Sequence, residues 1–160
     1  MGKNILGIDP GIADTGFGVI EKLPGGKTKC LTFGSIKTAA NLSLPDRLMI
    51  LDEKLSLIIK EYKPSLAAIE QLFFANNAKT AFVVGQARGV ILLALRKAGV
   101  PIVEFTPPQV KQSISCYGQA DKKQVQKMVA LLLGLKELPK PDDAADALAI
   151  ALAGMNNLKL

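Results

Sequence analysis

The chain has 160 residues, of which 49% are hydrophobic, and a formal net charge of +6. That length and apolar content suit one folded domain and exclude a disordered chain, while the basic balance favours polyanionic partners. The chain contains no histidine, which excludes Ser-His-Asp and Cys-His nucleophilic sites and most zinc sites and leaves carboxylates, lysines, hydroxyls or a metal that prefers oxygen ligands.

Ile5, Leu6 and Ile8 make a short apolar run that ends at Asp9 and is stopped by Pro10-Gly11. This reads as a buried strand presenting a carboxylate at its end, although Asp before Pro-Gly is also a common turn former. Residues 16–20 and 30–36 read as two more strands, with a Pro24-Gly25-Gly26 turn between them. Such short connections predict an antiparallel meander. Ser43 and Asp46, with Pro45 in the first turn, open a helix whose apolar face is Leu44, Leu48, Leu51, Leu55 and Ile58 and which ends before Pro64. Residues 66–70 form the next strand, again closed by an acid, Glu70. The intervening helix allows it to lie parallel to the first strand. A second helix covers about residues 77–97 with Gly99 as its stop, and residues 100–105 form a fifth strand that Pro101 confines to an edge or a strand start.

Thr106-Pro107-Pro108 reads as a break, residues 109–113 as a short helix and Gly118 as a loop. Asp121 and Gln124 form a cap pair for a helix carrying Val125, Met128, Val129 and Leu132. After the stiff Pro139-Lys140-Pro141 link, Asp142 is expected to cap an alanine-rich helix over about residues 143–153. The expected architecture is α/β: a five-stranded mixed sheet, made of a three-strand antiparallel meander and two parallel strands, flanked by helices. Residues 1–154 are expected to form a single domain and residues 155–160 a frayed tail. No apolar run is expected to reach membrane-spanning length and the N-terminus lacks a signal-peptide pattern, so a soluble cytoplasmic protein is expected. Cys30 and Cys116 are far apart and read as free thiols of a reducing compartment.

The first and fourth strands both end in acids. If they are parallel neighbours, Asp9 and Glu70 lie together at a topological switch point, where α/β sheets place their sites. Gly7 and Ala68, two residues back on the same faces, are expected to leave the space beside the acids open. Asp143 and Asp146 share one helix face. Asp143 complements the helix dipole, but Asp146 lies among Ala144, Ala145, Ala147 and Leu148, too deep to cap. A carboxylate there is costly unless exposed to solvent or compensated, and a metal ion compensates it. Four converging carboxylates without histidine fit a two-metal site for phosphodiester hydrolysis. No EF-hand loop supports a calcium-binding alternative.

Five blocks, Gly7-Ile8-Asp9-Pro10-Gly11, Ile69-Glu70-Gln71-Leu72-Phe73, Gly85-Gln86-Ala87-Arg88-Gly89, Gln109-Val110-Lys111-Gln112 and residues 143–150 (Asp-Ala-Ala-Asp-Ala-Leu-Ala-Ile), resemble the RuvC family of bacterial Holliday junction resolvases, in order and at the family's spacing. The resemblance implies a ribonuclease H-like fold and a homodimer that cuts four-way DNA junctions during recombination and repair. It implies Mg²⁺ as cofactor, two ions per active site with Mn²⁺ able to substitute, and branch-migration motor proteins as partners. The family's acidic residues fall on Asp9, Glu70, Asp143 and Asp146. Some members carry histidine where this chain has Asp143. The junction-contacting phenylalanine falls on Phe73, and the important lysines on Lys111 and Lys122. Asn76 stands where similar sequences often carry lysine, which weakens one phosphate contact.

The residues carry part of these roles by themselves. Phe73 and Phe74 directly follow a strand that ends in an acid, and exposed aromatics beside such a site stack on or wedge between bases. Lys122 and Lys123 sit in a first helical turn, where lysine opposes the dipole unless a phosphate binds. The helix over residues 78–97 is apolar nearly all round. Ala81, Val84, Ala87, Ile91 and Leu95 suit the sheet, and Phe82, Val83, Val90, Leu92 and Leu93 add area for either a second subunit or the third and fourth helices. Three competing functions fit worse. A non-catalytic DNA-binding module has no use for four acids, a phosphotransferase of the actin and sugar-kinase type normally needs a second domain, and YqgF-type nucleases are usually shorter.

Overall fold

The structure, a computed structural model, describes residues 3–71, 78–115 and 120–156. Among them five strands form one sheet in the order β3-β2-β1-β4-β5. They are β1 (Lys3–Asp9), β2 (Asp14–Lys22), β3 (Thr28–Lys37), β4 (Leu66–Glu70) and β5 (Ile102–Phe105). The meander β1-β2-β3 is antiparallel, and β4 runs parallel to both β1 and β5. In the β2–β3 pair the register shifts between Val19 and Ile20, so that Leu31 of β3 is an extra residue, a bulge. Five α-helices complete the described fold: α1 (Leu44–Tyr62), α2 (Ala78–Lys97), α3 (Pro107–Ser115), α4 (Lys122–Leu133) and α5 (Asp142–Met155). The mixed sheet and the flanking helices are those expected from the sequence.

Alternation along the central strand builds two cores. Leu6 and Ile8 of β1 point to one face with Val19, Leu51, Leu55, Ile91 and Leu95, and α1 and α2 close that face. Ile5 points to the other with Ile20, Val125, Val129, Leu148 and Ile150, beneath α5, α3 and α4. The face of α1 is rotated slightly from the expected stripe, since Ile59 rather than Ile58 is buried beside Leu51 and Leu55. Ser43 caps α1 through Asp46 N–H, and Lys63 ends it in the left-handed conformation.

Helix α5 lies directly on the sheet because glycines admit it. A Cβ on Gly7 would stand 2.0 Å from the Ala147 carbonyl oxygen, one on Gly16 2.0 Å from that of Asp143, and one on Gly18 2.7 Å from Leu148 Cδ2. Gly154 of the helix answers them, packing on Ala68 of β4. This corrects the expectation that Gly7 and Ala68 hold space open beside the acids: the α5 backbone fills it.

Three further expectations are revised. Pro107-Pro108 does not break the chain but opens α3, since proline suits a first turn. Gln109 N–H donates to Thr106 Oγ1 while its side chain accepts from Thr106 N–H, a reciprocal cap that the Thr-x-x-Gln spacing announces. Asp142 is not the cap of α5. Pro141 occupies that position and Asp142 is the first helical residue. Helix α2 is 20 residues long with a mean hydropathy of 1.4, long and apolar enough by composition to cross a membrane. It packs against α1 while Ala87, Ile91, Ala94 and Leu95 are buried. Helices α3 and α4 pack with α5 on the other face, so they are not what meets the exposed Phe82 and Leu93. By contrast, Asp121 and Gln124 form the expected capping box of α4, closed by Gly134 at φ +62°.

Candidate active site

Asp9 ends β1 and Glu70 ends β4, and both strands run in the same direction, so the two acids emerge at one end of the sheet. Asp9 has the same parity as Ile5 and Gly7 and therefore faces α5. The close approach of that helix brings its first two turns over the strand end. Carboxylate oxygens of Asp9, Asp143 and Asp146 lie within 4.8 Å of one another, all three residues half-buried. Glu70 stands outside that triplet. It lines a cleft of about 200 Å³ with Asp146, Lys111 and Lys122, floored by Val110, Val125 and Ala149. Asp146 belongs to both the triplet and the cleft.

The loop after Asp9 is fixed by its own polar groups. Thr15 Oγ1 donates to the Gly11 carbonyl at 2.5 Å, and the buried Thr38 donates to the Ile12 carbonyl. Arg47 Nε in turn donates to Thr38 Oγ1 at 2.9 Å, tying the loop to α1. Asp14, which accepts from Ser35 Oγ at 2.9 Å, adds negative potential at Asp143.

Burial and mutual repulsion act together on the acids. Asp9 is pushed up to about 8, first by burial and then by Glu70, Asp146 and Asp143. Burial raises Glu70 as well, reinforced by Asp146. Asp143 is raised by burial and by Asp14, and Asp146 by burial, partly offset by Lys122. Lys122 Nζ lies 3.1 Å from Asp142 Oδ2 and 3.8 Å from Asp146 Oδ2. The hydrogen bond to Lys122 holds Asp142 below the ordinary aspartate value, and the same bond raises Lys122. The basic partner of Asp146 thus comes from another helix, α4, a neighbour that sequence distance conceals. Asp142, which the sequence suggests only as a cap, joins the site's rim through this lysine.

Of the basic residues singled out, Lys111 lies at the cleft and lowers Glu70, whereas Lys123 is exposed on α4 and does not line it. Phe73, Phe74 and Asn76 lie outside the described residues. Sequence reasoning passes over Arg88, although it lies in the Gly85–Gly89 block. Its guanidinium donates to the Glu70 carbonyl at 3.0 Å.

A metal ion suits this donor set. Three close, half-buried carboxylates offer only oxygen, and a proton is the other means of relieving their repulsion, as the position of Asp9 near 8 records. A mixed sheet of this order, with strand-end carboxylates meeting others on a helix laid across it, defines a ribonuclease H-like nuclease. The family model described as crossover junction endodeoxyribonuclease RuvC matches residues 5–154. A crossover junction endodeoxyribonuclease RuvC from Brevibacillus brevis is 55% identical over 148 residues, covering 92% of this chain and 89% of its relative. The Thermus thermophilus RuvC structure superposes with a TM-score of 0.87 at 37% identity, over 95% of this chain and 93% of that one. T. thermophilus RuvC in complex with Holliday junction substrate matches with the same TM-score at 35% identity, over 95% and 92% of the two chains. The chain belongs to the RuvC family.

Proposed function

We propose that this protein is a structure-selective endodeoxyribonuclease that resolves four-way DNA junctions by paired, metal-dependent phosphodiester hydrolysis in recombination and repair. The observation that carries the reading is the meeting of Asp9, Asp143 and Asp146 within 4.8 Å, in a chain of this family. Asp9, Glu70, Asp143 and Asp146 hold the catalytic metal, Mg²⁺ with Mn²⁺ as substitute, at two ions per site. When bound, the metal supplies Lewis-acid activation of water and neutralises charge on the leaving oxygen. The chain's own residues do the rest. Asp9 is fixed by β1 and by the clamped loop behind it, so its carboxylate does not retreat from its neighbours. Asp146 links the triplet to the cleft, where Lys111 and Lys122 present positive charge to a phosphate. Lys122 is held toward the site by Asp142 and Asp146, which orients it before DNA arrives. Lys123 contacts the flanking backbone. Phe73 wedges or stacks at the branch point and Asn76 makes a weak backbone contact, both assigned from the family resemblance alone.

Residues 1–154 act as one nuclease domain. One such site cuts one strand, so resolution takes two copies, related by a twofold axis that matches the junction. The exposed Phe82 and Leu93 on α2, 69% and 53% accessible, support that face as the dimer contact. Branch-migration motors deliver the junction, and the work is done in the cytoplasm. The test is digestion of a synthetic four-way junction against a matched linear duplex, with Mg²⁺ and with EDTA. Paired nicks near the branch point, only with metal and only in the junction, are expected. Equal cutting of both substrates would overturn the structure-selective reading.

A further inference from the structure

We infer that Arg88 is a positioning residue that fixes the backbone of Glu70, and through it the geometry of the carboxylate site. Arg88 arises from α2, on the sheet face opposite α5, and no part of it belongs to the acidic cluster. Its side chain is only 13% exposed. One guanidinium nitrogen donates to the Glu70 carbonyl oxygen at 3.0 Å, and the other pairs with Glu104 Oε1 of β5 at 2.5 Å.

The need for such a group follows from the end of the sheet. The β1–β4 ladder stops at Ile8 and Ile69, one residue before Glu70. Beyond Asp9 the first chain turns at Pro10, which has no N–H to offer. On the other side β4 is still paired, Glu70 with Phe105 and Gln71 N–H with the Phe105 carbonyl at 2.8 Å. The last residue of β4 is therefore held by one neighbour strand, and the donor for its carbonyl comes from a side chain. Arginine suits this double duty, because its planar fork serves a carbonyl and a carboxylate from one rigid group, whereas a lysine ammonium is a single point donor. Glu104 anchors the far side of the fork. Without it the guanidinium would remain bonded to the carbonyl, and without Arg88 the carbonyl and Glu104 would both lose a partner. Sites of this kind tolerate displacements of only about 0.5 Å before function suffers.

This inference rests on the reading of Glu70 as a metal-holding residue, and the experiment separates the two. Arg88→Met, Arg88→Lys, Glu104→Gln and Glu70→Gln are prepared in the full chain. Mn²⁺ binding is measured by titration calorimetry, junction affinity in EDTA, and single-turnover cleavage against Mg²⁺ concentration. Arg88→Met is expected to weaken Mn²⁺ binding and raise the Mg²⁺ half-saturation by about fivefold or more, with junction affinity within about twofold of wild type. Arg88→Lys falls between, and Glu104→Gln stays within about twofold because the carbonyl bond survives. If Glu70→Gln weakens Mn²⁺ binding and Arg88→Met does not, Arg88 has no positioning role. If Glu70→Gln leaves Mn²⁺ binding unchanged, the assignment of Glu70 itself fails, and this inference with it. Should Arg88→Met not fold, unaltered metal affinity in Arg88→Lys overturns the proposal.

Discussion

Replacing Asp9 with Asn gives the most direct test of the acidic cluster, and it can be read without any catalysis. In the metal-free protein Asp9 is pushed up to about 8 from an ordinary value of 3.8. Between those values the folded state keeps a proton that the unfolded chain has released. The stabilisation linked to that proton is complete below about pH 4 and is lost as the pH climbs to about 8. One proton costs about 1.4 kcal/mol per pH unit across this window. In a domain of this size about 1 kcal/mol moves Tm by about 2–4 °C, so Asp9 alone should lower Tm by about 3–6 °C per pH unit. Between pH 5 and 7 Asp9 is uncharged in the wild type, as Asn is in the variant, so the neighbouring acids see the same charge in both proteins. The difference between the two melting curves then isolates this one proton. Thermal melts in EDTA from pH 5 to 9 should show wild-type Tm falling more steeply than that of Asp9→Asn, with the gap flattening above pH 8. Added Mg²⁺ should raise the wild-type Tm, increasingly so at high pH where it no longer competes with the proton. It should do little for the variant, which is also expected to bind junction DNA without cutting it. Parallel curves in EDTA would show that Asp9 is not held in a strained, proton-retaining cluster.

Three other outcomes follow from the same geometry. Gly16→Ala puts a methyl group 2.0 Å from the Asp143 carbonyl oxygen and should lift the start of α5, costing about 1–3 kcal/mol in a denaturant titration and lowering cleavage more than junction binding. In Lys111→Ala/Lys122→Ala, the slope of log affinity against log salt should shrink by about 0.9 for each phosphate that the variant no longer neutralises, whereas an unchanged slope places both lysines away from DNA. Phe82→Asp on the exposed face of α2 should sediment as a folded monomer that makes uncoupled single nicks, and a wild-type protein that is monomeric with and without junction DNA would refute the twofold arrangement.

The strand-end acids are legible because each closes an apolar run: a Pro-Gly turn follows Asp9, and an intervening helix makes β4 parallel to β1. Helical spacing likewise puts Asp143 and Asp146 on one face. The distance between those pairs is not legible. It depends on α5 sinking onto Gly7, Gly16 and Gly18, and the match of these positions to Ala147, Asp143 and Leu148 becomes visible only once strand order and helix placement are known. Read locally, Gly7 suggests an open space, whereas in three dimensions it marks a backbone contact. Lys122 is legible as an uncomfortable charge at a helix start. Its pairing with Asp142 and Asp146 is not, because the link after α4 brings together residues 20 and 24 positions apart. The start of α3 is available in the Thr106-x-x-Gln109 pattern, but the two prolines between them read more readily as a break than as a first turn.

The bulge at Leu31 has a bearing on how copies of this protein can meet. β3 is a ten-residue border strand, long enough to template another chain, and β5 at the opposite border is only four residues long and follows Pro101. The extra residue in β3 interrupts the even spacing of its outward backbone groups, and exposed lysines at positions 29 and 37 charge its rim. Both borders therefore discourage the joining of sheets from two molecules. That leaves the exposed face of α2, with Phe82 and Leu93, as the surface on which the proposed twofold pair would form. Crowding of many copies then carries little risk of sheet-to-sheet growth into fibres.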